Sequence, residues 1–212
     1  PKKYRNYAEL LLEGIKLLGA GVLEDATEEK RSSATFMKRA VAYDGMALQY
    51  ALESIQDDPH YAEIVSIAVA TSPLALKFAS DEFKNDREIV RIAATKNGHA
   101  VQFASEAVRA DTDFMIELMT TQASVYMWAM GGFGSNPDLI KRAVTANWQV
   151  IPYVTQHLRT EELLLIAVRQ NGRALEYATQ RTYTPEVIKA ALEQRGDAIM
   201  FVPPLMITEE YA

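Results

Sequence analysis

Every 24 to 28 residues this chain repeats itself. An aromatic residue stands at Tyr50, Phe78, Phe103, Trp128, Tyr153, Tyr177 and Phe201, at intervals of 28, 25, 25, 25, 24 and 24 residues. Five residues before each comes a turn position, held by Gly45, Pro73, Gly98, Ala123, Trp148, Gly172 and Gly196. Five residues earlier again stand Ala40, Ala68, Ala93, Leu118, Ala143, Ala167 and Ala191. A period of this size marks a repeat array. Each unit is too small to close a core alone, so it must stack on its neighbours.

The third repeat shows what one unit is. Asp86 is placed to cap a helix by accepting from free N–H groups of the first turn, and Ser33, Asp111, Asn136, Thr160 and Thr184 hold the same position. Pro137 and Pro185 follow at the first helical residue, where a missing N–H costs nothing. Glu63, Glu88, Asp113, Asp138, Glu162 and Glu186 come next, at the positive end of the helix dipole. Ile89, Val90, Ala93 and Ala94 then form one apolar face at helical period. Asn97-Gly98, Asn171-Gly172 and Arg195-Gly196 read as helix stops with a left-handed glycine. A second short helix is expected to follow, with Ala100, Val101, Phe103, Ala104 and Val108 facing inward. Ile55, Phe83, Phe133 and Leu158 share the position of Val108. Lys38, Arg91, Lys141 and Lys189 lie three residues after Thr35, Glu88, Asp138 and Glu186, so three intrahelical ion pairs are expected.

The expected fold is therefore all-α, a solenoid or superhelix of about seven short helical-hairpin repeats behind an N-terminal capping helix. Residues 1–33 read as that helix with a charged linker from Glu24 to Ser33. The array spans 34–202, with repeats near 34–57, 58–85, 86–110, 111–135, 136–159, 160–183 and 184–202. Residues 203–212 form a tail that Pro203-Pro204 keeps out of regular helix, expected to fold back over the last hairpin. The seven aromatics sit between alanine-rich apolar positions and are expected in the core.

The strings Ile-Ala-Ala-Thr-Lys-Asn-Gly-His-Ala-Val-Gln-Phe-Ala (92–104) and Ile-Ala-Val-Arg-Gln-Asn-Gly-Arg-Ala-Leu-Glu-Tyr-Ala (166–178) resemble the domain-of-unknown-function 4116 repeat family. So does Phe-Ala-Ser-Asp-Glu-Phe-Lys-Asn-Asp-Arg-Glu-Ile-Val (78–90). The resemblance covers 34–202, close in repeats two, three and six and weak in four and five. It implies helical repeats, in a family of bacterial, viral and algal proteins, and supplies no active site or cofactor.

Composition narrows the function. The chain has no cysteine, which removes disulfides, thiolate catalysis and zinc–thiolate sites. A net charge of −6 disfavours nucleic acid as the main partner, since phosphate binding needs concentrated positive charge. No run of about 18 apolar residues suits a membrane span. The basic start Pro1-Lys-Lys-Tyr-Arg5 leads into a stretch broken by Glu9, Glu13 and Lys16, an amphipathic helix rather than a signal segment. The expected location is cytoplasmic, or inside a host cell if the source is viral.

His60, His99 and His157 are scattered, without a ligand partner three or four residues away, so no metal ligand is assigned. Gly131-Gly-Phe-Gly-Ser135 lacks the lysine and the strand of a phosphate loop and reads as a flexible connector. No catalytic residue and no cofactor are assigned. Repeats four and five depart most from the consensus. Ala123 and Trp148 replace the turn glycine, Pro152 interrupts the second helix, and Met115, Met119, Met127 and Met130 gather near Trp128. Methionine and tryptophan build adaptable binding surfaces, and they also fill irregular cores. Trp148, Phe133, Met130, His157, Leu205 and Met206 are the candidate partner contacts. The expected function is a non-enzymatic repeat module that binds a protein or packs into an assembly. Two alternatives stand beside it: a small-molecule or enzymatic pocket in repeats four and five, and RNA binding.

Overall fold

The computed structural model describes residues 2–207, with side chains from Tyr7 onward. Among these residues the chain is helical with no strand. It divides into two compact units, Pro1–Val108 and Arg109–Ala212. Each is an all-α solenoid segment of hairpins stacked in sequence order.

One hairpin is a long α-helix, then a turn of 3-10 helix, then a short connector. The long helices of repeats one to three are Ala34–Tyr43, Tyr61–Thr71 and Arg87–Lys96. Their 3-10 turns are Gly45–Tyr50, Pro73–Phe78 and Gly98–Phe103. In the second unit the long helices are Thr112–Met119, Pro137–Ala146, Glu161–Gln170 and Pro185–Gln194, with 3-10 turns Ala123–Met127, Trp148–Tyr153, Gly172–Tyr177 and Gly196–Phe201. Within each unit, long helix packs on the next long helix and 3-10 turn on the next 3-10 turn. The expected caps form: Ser33, Asp86, Asp111, Asn136, Thr160 and Thr184 each accept from a first-turn N–H.

The segment expected as a capping helix with a charged linker carries the same three elements: helix Lys2–Leu18, 3-10 turn Ala20–Leu23 and connector Glu28–Arg31. It is a leading hairpin stacked on repeat one. Its connector is tied in as later ones are. The Arg31 carbonyl accepts from Leu52 N–H at 3.1 Å, as Lys84 does from Ser105 at 2.9 Å and Arg109 from Met130 at 2.8 Å.

The second limb of each repeat is 3-10, not α, and this moves the core. In these turns the third and fourth residues go inward: Ala47 and Leu48, Ala75 and Leu76, Ala100 and Val101, Val150 and Ile151, Ala174 and Leu175 are all buried. The expected aromatic core is thereby corrected. Tyr50, Phe78, Phe103, Tyr177 and Phe201 close their turns and are half-buried, as is Trp128 one residue past its own. Tyr153 is 39% exposed. The rings line the rim, not the centre.

The helix stops were also misassigned. Among the described residues positive φ occurs at Gly19, Gly131 and Gly132, and not at Gly98, Gly172 or Gly196. The asparagine acts instead as an N-cap for the 3-10 turn. Asn97, Asn147 and Asn171 are extended and accept from the N–H groups of His99, Gln149 and Arg173 at 3.0 Å each; Asp44 does the same for Met46 at 2.9 Å. Asn171→Ala is expected to cost about 1 kcal/mol, the usual size of a lost N-cap, read as a lower urea midpoint with an unchanged slope.

Side chains at the ends of the long helices sew each hairpin to the one before. Asp44 accepts from Ala20 N–H at 2.8 Å, Ser72 from Gly45 N–H at 3.1 Å, Gln170 from Trp148 N–H at 3.0 Å and Gln194 from Gly172 N–H at 2.6 Å. Lys96 donates to the Ala70 carbonyl and Asn147 to that of Met119. These bonds satisfy groups a helix end otherwise leaves unpaired. Several ion pairs likewise run between hairpins. Glu88–Arg91 forms within its helix as expected, but Lys141 reaches Glu162 and Lys38 reaches Glu63 of the following helix. Arg39 and Arg142 reach back to Glu9 and Asp113, and Glu186 meets Arg169 rather than Lys189. Exposed pairs of this kind contribute about 0–1 kcal/mol each.

The C-terminal tail does not close over the last hairpin within the described residues. Leu205 is fully exposed and Ile207 is exposed, although Val202 is buried and Tyr183 donates to the Phe201 carbonyl at 3.1 Å. Residues 208–212 of the expected tail lie outside the described residues.

Candidate binding site

The departures in repeats four and five have structural consequences. Gly131 and Gly132 adopt φ of 71° and 101°, a region that strains other residues. A Cβ on Gly131 would lie 2.9 Å from the Ala110 carbonyl oxygen. The segment is a shaped turn rather than a flexible connector, and it drives Phe133 inward. Phe133 is 1% exposed, packs edge-on to Tyr126 with ring centroids 6.0 Å apart, and its carbonyl accepts from the Tyr126 hydroxyl at 2.7 Å. Burial raises the Tyr126 pKa. Phe133 therefore leaves the candidate contact set and joins the core. The methionines split: Met115 and Met119 are fully buried, while Met127 and Met130 are exposed.

Trp148 is half-buried and lines a cleft of about 310 Å³. The walls come from three hairpins: Thr121 to Ser124 from repeat four, Trp148, Gln149, Pro152 and Tyr153 from repeat five, and Tyr177 from repeat six. None of the other five candidates lines it. His157 is exposed and lines a separate cleft of about 350 Å³ with Gln156, Thr179, Gln180 and Arg181. Met130 and Leu205 are exposed and Met206 is half-exposed.

The Trp148 backbone is held from both sides. Asn147 caps its turn and donates to the Met119 carbonyl at 2.9 Å. Gln170 accepts from Trp148 N–H and donates to the Val144 carbonyl at 2.8 Å. Arg159 fixes the rim beyond. Its guanidinium donates to the carbonyls of Val154 at 2.9 Å, Pro152 at 3.1 Å and Tyr177 at 3.3 Å. Desolvation lowers its pKa. Neither Arg159 nor Tyr177 was a sequence candidate. The one signal for Arg159 was a long basic side chain directly before the cap Thr160, and Tyr177 had been assigned to the core.

Among the described residues no group of three or more His, Cys, Asp or Glu side chains is placed to hold a metal ion. No described helix is long and apolar enough to cross a membrane. Fold and cleft together define a helical repeat protein with a preformed recess on its 3-10 face. Residues 61–109 and 135–182 match the family described as "Domain of unknown function (DUF4116)". The match takes in repeat five with Trp148 and Pro152 and passes over repeat four. No curated protein and no solved structure matches the chain.

Proposed function

We propose that the protein is a non-catalytic helical-repeat module that binds another protein or packs into an assembly. The observation that carries this is the stacking face of repeat seven. Val41, Val69, Ala94, Met119, Val144 and Val168 are buried, but Leu192 at the same position is half-exposed. Leu48, Leu76, Val101, Tyr126, Ile151 and Leu175 are buried, but Ile199 is half-exposed. Met200 and Leu205 add exposed apolar surface beside them in sequence. Exposed and half-exposed apolar side chains gathered on one hairpin are the kind that protein partners cover. RNA binding gains less support, because Lys38, Arg39, Lys141, Arg142 and Arg169 all face carboxylates.

The test is a double variant, Leu192→Asp with Ile199→Asp, compared with wild type by light scattering after gel filtration and by capture from the native source. The expected result is loss of self-association or of the captured partner, with the helical circular dichroism retained. Unchanged association by a folded double variant removes this face from the proposal.

A further inference from the structure

We propose that the Trp148 cleft is a binding site for a neutral saccharide. The first reason is charge. Nearly a quarter of the chain is Asp, Glu, Lys or Arg, 24%. Four other clefts in the second unit contain Arg181, or Glu186 with Lys189, or Lys141 with Glu162, or Asp138 with Arg142. The Trp148 cleft has no Asp, Glu, Lys, Arg or His in its lining. A phosphate-bearing ligand needs cationic partners, and a charged peptide needs opposite charge. Neither finds them here.

The second reason is the kind of uncharged group present. Trp148, Tyr153 and Tyr177 supply rings, while Ser124 and Gln149 supply a hydroxyl and an amide, and the Thr121 hydroxyl, which donates to the Leu118 carbonyl at 3.1 Å, can still accept. Each hydroxyl or amide side chain both donates and accepts. A pyranose has the matching character: C–H faces that cover an aromatic ring, and hydroxyls that each donate and accept. Among the described residues the Trp148 indole N–H and the Tyr153 and Tyr177 hydroxyls make no hydrogen bond within the chain, so they are available to a ligand. A proline-rich peptide also suits aromatic walls. It would leave most of these polar side chains desolvated without a partner, which is costly. At about 310 Å³ the recess sits at the small end of ligand cavities, roughly 300–1,000 Å³, which suits a short saccharide.

The third reason is that the site is prebuilt. Trp148 stands where most repeats have glycine, proline or alanine, and its backbone is tied to Gln170 while the neighbouring Asn147 is tied to Met119. Arg159 bridges the Pro152 and Tyr177 carbonyls while lining none of the cleft itself. Little ordering is left for a ligand to impose.

The chain has two tryptophans, so Trp128→Phe leaves Trp148 as the only indole. The emission of this variant is titrated with maltose, cellobiose, lactose and N,N′-diacetylchitobiose, and calorimetry on the wild-type chain repeats each titration independently of the variant. The expected result is saturable binding of at least one disaccharide. Gln149→Ala and Tyr177→Ala, each shown to be folded by circular dichroism, are expected to weaken it about tenfold or more, the factor that corresponds to about 1.4 kcal/mol. Gln180→Ala, outside the cleft, leaves it unchanged. No saturation by any of the four sugars up to tens of millimolar overturns the proposal. So does sugar binding that ignores Tyr177→Ala, or saturation of Trp148 by octaproline in place of the sugars.

Discussion

Gly45→Ala is expected to destabilise the protein by about 3 kcal/mol, the upper range for overpacking a closed site. A Cβ built on Gly45 lies 2.1 Å from the Ala68 carbonyl oxygen and 2.8 Å from the Ser72 backbone nitrogen, both on the following hairpin. Both obstacles are backbone, so a rotamer change cannot relieve the clash. Gly172→Ala meets the Ala191 carbonyl oxygen at 2.5 Å and is expected to behave alike. Gly196→Ala should do the opposite. Nothing lies within 4 Å of its Cβ position and its φ is not positive. Alanine there narrows the unfolded ensemble and is expected to stabilise by about 0.4–1 kcal/mol. Urea titrations of the three variants read these differences directly. A loss at Gly196 equal to that at Gly45 would mean that the glycine serves the turn's own backbone and not the close approach of the next hairpin.

That contrast also explains what the sequence disclosed and what it withheld. The period, the caps from Ser33 to Thr184 and the long helices were legible because each is written in local residues. An Asn-Gly pair is ambiguous at that level. It suits a left-handed helix stop and equally an asparagine cap on a 3-10 turn. The choice falls to the second because the next hairpin approaches within contact of Gly45 and Gly172, and no local pattern records that approach. The aromatic column was legible as a column, but its depth was not. Ala100 and Val101 are buried while Phe103 is half-buried, because depth is set by the turns of neighbouring repeats stacked on this one, which no local pattern records. Trp148 was visible as a departure from consensus. Its neighbours Thr121 and Tyr177 were not, because they arrive from other repeats.

The depth of that column makes the second large expectation. Leu76 has no exposed surface and sits in a 3-10 turn packed between those of repeats one and three. Leu76→Ala is expected to cost about 2–5 kcal/mol, lost transfer energy plus the cavity left behind. Cavity cost grows with how little the site can collapse, and here stacked turns on both sides hold the walls apart. Phe78, two residues on, is half-buried. Its ring already meets solvent on one side, so Phe78→Ala opens a notch at the rim rather than a void. Its loss is expected to fall below that of Leu76→Ala although more atoms are removed. Denaturant midpoints of the two variants, with slopes held equal, decide the order. The reverse order would make the rings the main filling between hairpins. The inner pair of each 3-10 turn would then be spacers, and the rim tyrosines of the Trp148 cleft would serve stacking before they serve a ligand.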